Sequence, residues 1–135
     1  MEAMKTITDV LNDKKISQLI LTTLCDNEQV DIKDVKGHPG KYGKKRSNEL
    51  VRVRQMFCYF AKKYTSLSLR EIGSFVNYDH SSVLYAIKII SNEITIYPVM
   101  RLKAERYSKL IDMKINFSRM EDEDKDFFLY YDFYR

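Results

Sequence analysis

A chain of 135 residues is long enough for one domain around a single core, and an apolar share of 44% fills that core without disulfides. Only two cysteines occur, Cys25 and Cys58, and no apolar run approaches the ~18–20 residues of a membrane span, so a disulfide scaffold and an integral membrane protein are both disfavoured and a reduced, cytoplasmic setting is expected. Net charge is +4 (23 Lys and Arg, 19 Asp and Glu), but it is unevenly spread. From Lys36 to Arg70 ten cations face one anion, Glu49, whereas from Arg119 to Arg135 six anions face three cations. A solvated charged face is the plain reading of such a run, but the imbalance favours a polyanion-binding face beside a chemically different C-terminus.

In chain order, Ile16, Leu19, Ile20, Leu21 and Leu24 lie on one face of a helix. The segment Cys25 to Gly43, with three glycines and Pro39, is expected to be a long irregular connection with a short turn at Ile32–Val35. It leads into the basic run Lys44-Lys45-Arg46, suited to a phosphate backbone or a minor groove. Ser47 is an N-cap for a helix to about Tyr64, whose stripe is Leu50, Val53, Phe57, Phe60, Ala61 and Tyr64. Ser68 followed by Glu71 is a capping box, so a short helix starts at about Leu69 and ends near Val76, where Asn77 accepts a left-handed turn. Asp79 caps a helix running through Val83, Leu84, Ala86, Ile87 and Ile90. Ile94 to Pro98 reads as a β-branched break. A last helix from about Val99 to Ile111 turns Leu102, Tyr107, Leu110 and Ile111 inward to cover the core. The expected division is an N-terminal extension (1–15), a helix-turn-helix domain (16–115) and an acidic, aromatic tail (116–135).

Two short helices around a tight turn, the second opening Asp79-His80-Ser81-Ser82, suit a helix end inserted into the major groove of DNA. His and Ser can donate to or accept from base edges, and Asp can accept from cytosine N4. Exposed backbone N–H groups at a helix start favour phosphate. Plain N-capping is the lesser reading of Asp79, and a solvated or structurally bonded imidazole that of His80.

The runs Arg52-Val53-Arg54-Gln55-Met56, Ala61-Lys62-Lys63, Ser68-Leu69-Arg70-Glu71-Ile72-Gly73 and Asp79-His80-Ser81-Ser82-Val83-Leu84-Tyr85-Ala86 together resemble the C-terminal DNA-binding domain of the bacterial replication initiator DnaA family. The resemblance covers about Ile16 to Ile111 and is dense from Lys44 to Ile90. It implies an all-α fold, a helix-turn-helix in a small helical bundle of the Trp-repressor-like or DnaA C-terminal type. It also implies double-stranded DNA as partner, with Arg46 in the minor groove. Major-groove readers would be Asp79, His80 and Ser81, with Arg70 at a neighbouring base. Backbone contacts would come from Lys44, Lys45, Arg54, Gln55, Lys62, Thr65 and Ser82. Val53 stands where the family has proline, Tyr78 where arginine is usual, Ser81 where threonine is common and Tyr85 where the family has histidine, and the turn Asn77-Tyr78 is one residue shorter. The family's nine-base-pair site is therefore not assumed.

No GxxxxGK[ST] loop occurs in the chain, so the initiator's ATPase is expected to be missing, with no cofactor and no enzymatic activity. His38, His80, Cys25 and Cys58 have no metal-ligand spacing, and no nucleophile–base pair stands out. With no heptad run, a monomer on an asymmetric site, associated with the nucleoid, is the default. The other reading is a protein-binding adaptor on the same fold, docking a partner through the tail at 121–134, or a tail that competes for the basic face.

Overall fold

The computed structural model describes residues 7–37 and 47–120. Within them are six helices: α1 (Ile7–Glu28), α2 (Ile32–Lys36), α3 (Asn48–Tyr64), α4 (Leu69–Ser74), α5 (His80–Ile96) and α6 (Pro98–Arg119). No strand occurs among the described residues, and the all-α helix-turn-helix bundle expected from the sequence is what the chain forms. No single helix is long and apolar enough to cross a membrane.

α3 is the central element, packed against α1, α2, α4 and α5. Leu50, Val53, Phe57, Phe60 and Ala61 of its expected stripe are buried, joined by Met56, Cys58 and the side chain of Arg54. Ile20, Leu21 and Leu24 of α1 meet this surface from one side, and Val83, Ala86 and Ile90 of α5 belong to the same core. Phe57 reaches Phe75 beyond α4 with ring centroids 5.6 Å apart, and Phe60 reaches Tyr107 of α6 at 6.0 Å. Such contacts strengthen a core beyond the area they bury.

Four boundaries differ from the sequence expectation. α1 starts at Ile7 rather than Ile16, so the expected N-terminal extension is largely helical. Asp13 there accepts hydrogen bonds from Ser66 N (3.3 Å) and Ser66 Oγ (2.8 Å), tying α1 to the connection between α3 and α4. α1 also runs through Cys25 to Glu28, where an irregular connection was expected, and stops where Gln29 takes a left-handed conformation (φ 57°).

The expected break at Ile94–Pro98 shrinks to Tyr97. The helix tolerates its β-branched end because Ile94 packs on the core, and the Thr95 hydroxyl is satisfied within the helix by donating to Ser91 O at 3.0 Å. Arg101 then caps the end, donating from Nε to Ile94 O (3.2 Å) and from Nη2 to Thr95 O (3.0 Å). Pro98 opens α6, where its fixed φ suits a first helical position.

α6 continues past Ile111 to Arg119, and its inner face is Met100, Ala104, Tyr107, Ile111 and Ile115. Leu102, expected inside, is 66% exposed. Two residues from both Met100 and Ala104, it points to the opposite side of the helix. Tyr107 Oη and Lys103 Nζ both reach Glu28 Oε1, at 2.8 Å and 2.7 Å, clamping α6 to the end of α1.

Candidate nucleic-acid interface

The capping pattern at Ser68 forms in full: Ser68 Oγ accepts from Glu71 N at 3.1 Å, and Ser68 N donates to Glu71 Oε1 at 3.0 Å. Leu67 before the cap and Ile72 four residues after it are both buried, the positions at which a hydrophobic staple fixes the entry angle of a helix. α4 is thereby pinned at its start. At its end Val76 N and Tyr78 N both donate to Gly73 O, at 3.1 Å and 3.0 Å. Asn77 turns the chain with φ 58°, and Val76 anchors the turn in the core.

Asp79 then opens α5. Its Oδ1 accepts from Ser82 N at 2.7 Å, which is the N-cap bond expected from the sequence. The cap takes one backbone donor of the first turn and leaves Asp79, His80 and Ser81 on the exposed side of the helix start. His80 Nε2 and Ser81 Oγ lie 3.5 Å apart, in a relation whose donor depends on the imidazole tautomer. No acidic residue follows the cap in the first turn of α5, so the electropositive end of the helix dipole is opposed only by Asp79.

Between this helix start and α3 runs a groove of about 440 Å³, with Val51, Arg54, Gln55, Asp79, Ser81, Ser82 and Tyr85 among the residues on its walls. Gln55 is thus brought beside the first turn of α5, its Oε1 accepting from Arg52 Nη1 at 3.3 Å. Arg52 also forms an ion pair with Glu93 of α5 at 2.6 Å, which holds the wall in place. Lys62 is exposed and, seven residues beyond Gln55, stands on the same side of α3 two turns away. Lys63 turns to α6, donating to Ser108 Oγ at 2.9 Å. Arg70 is exposed on α4. The Thr65 hydroxyl donates to Ala61 O (2.7 Å) and accepts from Leu67 N (3.3 Å), so it shapes the end of α3.

Arg54, expected from the sequence as a backbone-contacting cation, lines this groove with its side chain held inside the fold. It is fully buried, donating from Nε to Val35 O at 2.8 Å and from Nη2 to Asp34 O at 2.7 Å. These are carbonyls at the end of α2, where helical carbonyls lack partners of their own, so the guanidinium works as an internal brace. Lys44, Lys45 and Arg46, His38 and the tail at 121–134 lie outside the described residues.

Four residues of the groove were not among the expected contacts: Val51, Tyr78, Tyr85 and Ala86, the last a buried side chain of α5. Tyr85 could have been found by helix spacing, four residues after Ser81. Val51 and Tyr78 depend on how α3 meets the turn, which no local signal encodes. Cys25 is buried, and burial, with Asp26 and Asp31 adding to it, pushes its thiol up to about 11, so it stays a protonated core side chain. Among the described residues no three His, Cys, Asp or Glu side chains are grouped to hold a metal.

The geometry agrees with the comparisons with known proteins. Residues 17–90 match the family described as bacterial DnaA protein helix-turn-helix. The chain is 36% identical over 96 residues to the chromosomal replication initiator protein DnaA of Thermodesulfovibrio yellowstonii, covering 70% of this chain and 19% of that protein. It is also 36% identical over 93 residues to the proteins of that name from Leptothrix cholodnii and Paraburkholderia phymatum, covering 68% of this chain and 17% of each. The chain therefore spans less than a fifth of the length of these curated relatives. With more than half of its residues matched to the family, this chain belongs to the bacterial DnaA helix-turn-helix family.

Proposed function

We propose that this protein binds double-stranded DNA sequence-selectively, with the start of α5 in the major groove and the basic run before α3 in the minor groove. The observation that carries the reading is the pinned, exposed tip Asp79-His80-Ser81, held by the Gly73–Tyr78 turn beside the Gln55 wall. Rigid placement is what base reading needs, because each bidentate contact discriminates only when its geometry is fixed. Asp79, His80, Ser81 and Arg70 are the base-facing groups on described elements, with Arg46 assigned to the minor groove. Gln55, Lys62, Thr65, Ser82, Lys44 and Lys45 serve the backbone, which sets register and most of the affinity. Arg54 serves the interface from within, bracing α2 on α3 behind the groove that it lines. The protein acts as a monomer on an asymmetric site in the cytoplasm. Its role is replication control, the process carried in its relatives' names. Transcription regulation in a phage or other mobile element would use the same recognition chemistry.

A second reading, a protein-binding adaptor on the same fold, draws support from the corner between α5 and α6, where Ile96, Tyr97, Val99 and Leu102 are all exposed. Exposed apolar clusters of this kind mark contact surfaces. Selection from a randomised duplex pool followed by titration at two salt concentrations separates the two. One enriched motif whose affinity falls as salt rises supports DNA binding. Absence of any enriched motif, with no binding below the micromolar range, overturns it in favour of the adaptor.

A further inference from the structure

The side of α5 that carries His80 and Ser81 does not end with its polar first turn. Leu84 follows His80 by four residues and Ser81 by three, so it stands on the same side one turn further along. Tyr85 holds that relation to Ser81 and Ser82 and shares the groove with them. Leu84 is 58% exposed and Tyr85 62%, whereas Val83, Ala86 and Ile90 on the other side are buried. The helix therefore presents a polar tip followed by an apolar band that plays no part in the core.

Among base edges in the major groove, the C5-methyl of thymine is the apolar feature. Ser81 carries a hydroxyl and no methyl, and neither Asp79 nor His80 offers an aliphatic surface. Leu84 lies between the two base-facing positions, whereas Tyr85 shares its side with Ser82, a residue assigned to the backbone. Apolar reading on this helix thus falls to Leu84.

We propose that Leu84 reads a thymine C5-methyl group in the major groove, one helical turn along α5 from His80 and Ser81. This rests on the DNA-binding reading above and adds a base to it. The test takes the selected duplex and replaces each thymine in turn by deoxyuridine, which lacks only the methyl, and titrates the full chain by fluorescence anisotropy. One replacement should weaken wild-type binding about fourfold, the effect of withdrawing one methyl-sized group from burial. Leu84→Ala should bind the parent duplex about fourfold more weakly and be indifferent to that same replacement. Leu84→Met, which keeps the apolar surface, should retain the sensitivity in part. Because Leu84 lies outside the core, both variants should fold, which circular dichroism checks. Selective binding without any methyl-sensitive thymine, or a sensitivity undiminished in Leu84→Ala, overturns the proposal. Failure of the pool to yield any motif is a different result, seen before any thymine is replaced, and it takes the DNA-binding reading down together with this one.

Discussion

The carbonyl oxygen of Tyr78 occupies the space in which a side chain on Gly73 would have to stand. A Cβ at Gly73 would fall inside van der Waals contact of that oxygen and 3.1 Å from Val83 Cγ2, while Tyr78 N donates to Gly73 O at 3.0 Å. The end of α4 and the start of α5 are therefore locked through backbone at closest approach. Gly73→Ala should destabilise the fold by about 1–3 kcal/mol, as overpacking does, measured by urea denaturation. A variant of unchanged stability would mean that the turn can open at no cost.

Asp79 serves two ends, capping α5 through Ser82 N and facing the groove. Asparagine is as good an N-cap as aspartate, whereas alanine costs about 0.5–2 kcal/mol there. Asp79→Asn should melt as the wild type but select a different base at one position, because its amide also donates. Asp79→Ala should lose both stability and preference. Identical selected motifs for wild type and Asp79→Asn would reduce Asp79 to a cap.

Arg54 braces α2 on α3 through two carbonyls. Arg54→Leu should lower stability by about 2–3 kcal/mol, the worth of a hydrogen bond from a charged donor together with the carbonyls it leaves behind. The folded variant should keep the wild-type dependence of DNA affinity on salt. A salt slope flatter by about one would instead make Arg54 a phosphate contact.

At the other end of the bundle, burial pushes the Glu28 carboxyl up, but the hydrogen bonds from Lys103 and Tyr107 outweigh it and hold its pKa below the ordinary value of 4.5. A carboxylate depressed in the folded state stabilises the fold above its unfolded pKa, and that contribution is lost as pH falls through the folded value. Glu28→Gln should therefore be less stable than wild type at about pH 7, with the difference shrinking towards about pH 3. A difference independent of pH would mean that the clamp does not rely on charge.

The helix-turn-helix was legible in the sequence because its punctuation is local. Ser47, Ser68 with Glu71, Asn77 and Asp79 act on backbone within a few residues of themselves, and each does so in the fold. The far ends of α1 and α6 were not legible. They carry contacts made across long sequence separations, Asp13 with Ser66 and Lys114 with Thr23. The burial of Arg54 likewise depends on carbonyls 19 and 20 residues away, so its charge pointed outward until α2 was in place. Of the candidate site, the tip of α5 could be read from helix spacing. The opposing wall with Val51 and Tyr78 could not, since it exists only once α3 and the turn are packed together.

Reading of bases by the start of α5 is tested most directly by comparing His80→Ala with Lys62→Ala on the selected duplex and on a scrambled one. His80→Ala should weaken the selected duplex by about 1–3 kcal/mol and leave the scrambled one nearly unchanged, collapsing the ratio between them. Lys62→Ala should weaken both alike and flatten the salt dependence by about one. A His80→Ala protein that keeps the wild-type ratio would contradict the placement of α5 in the major groove.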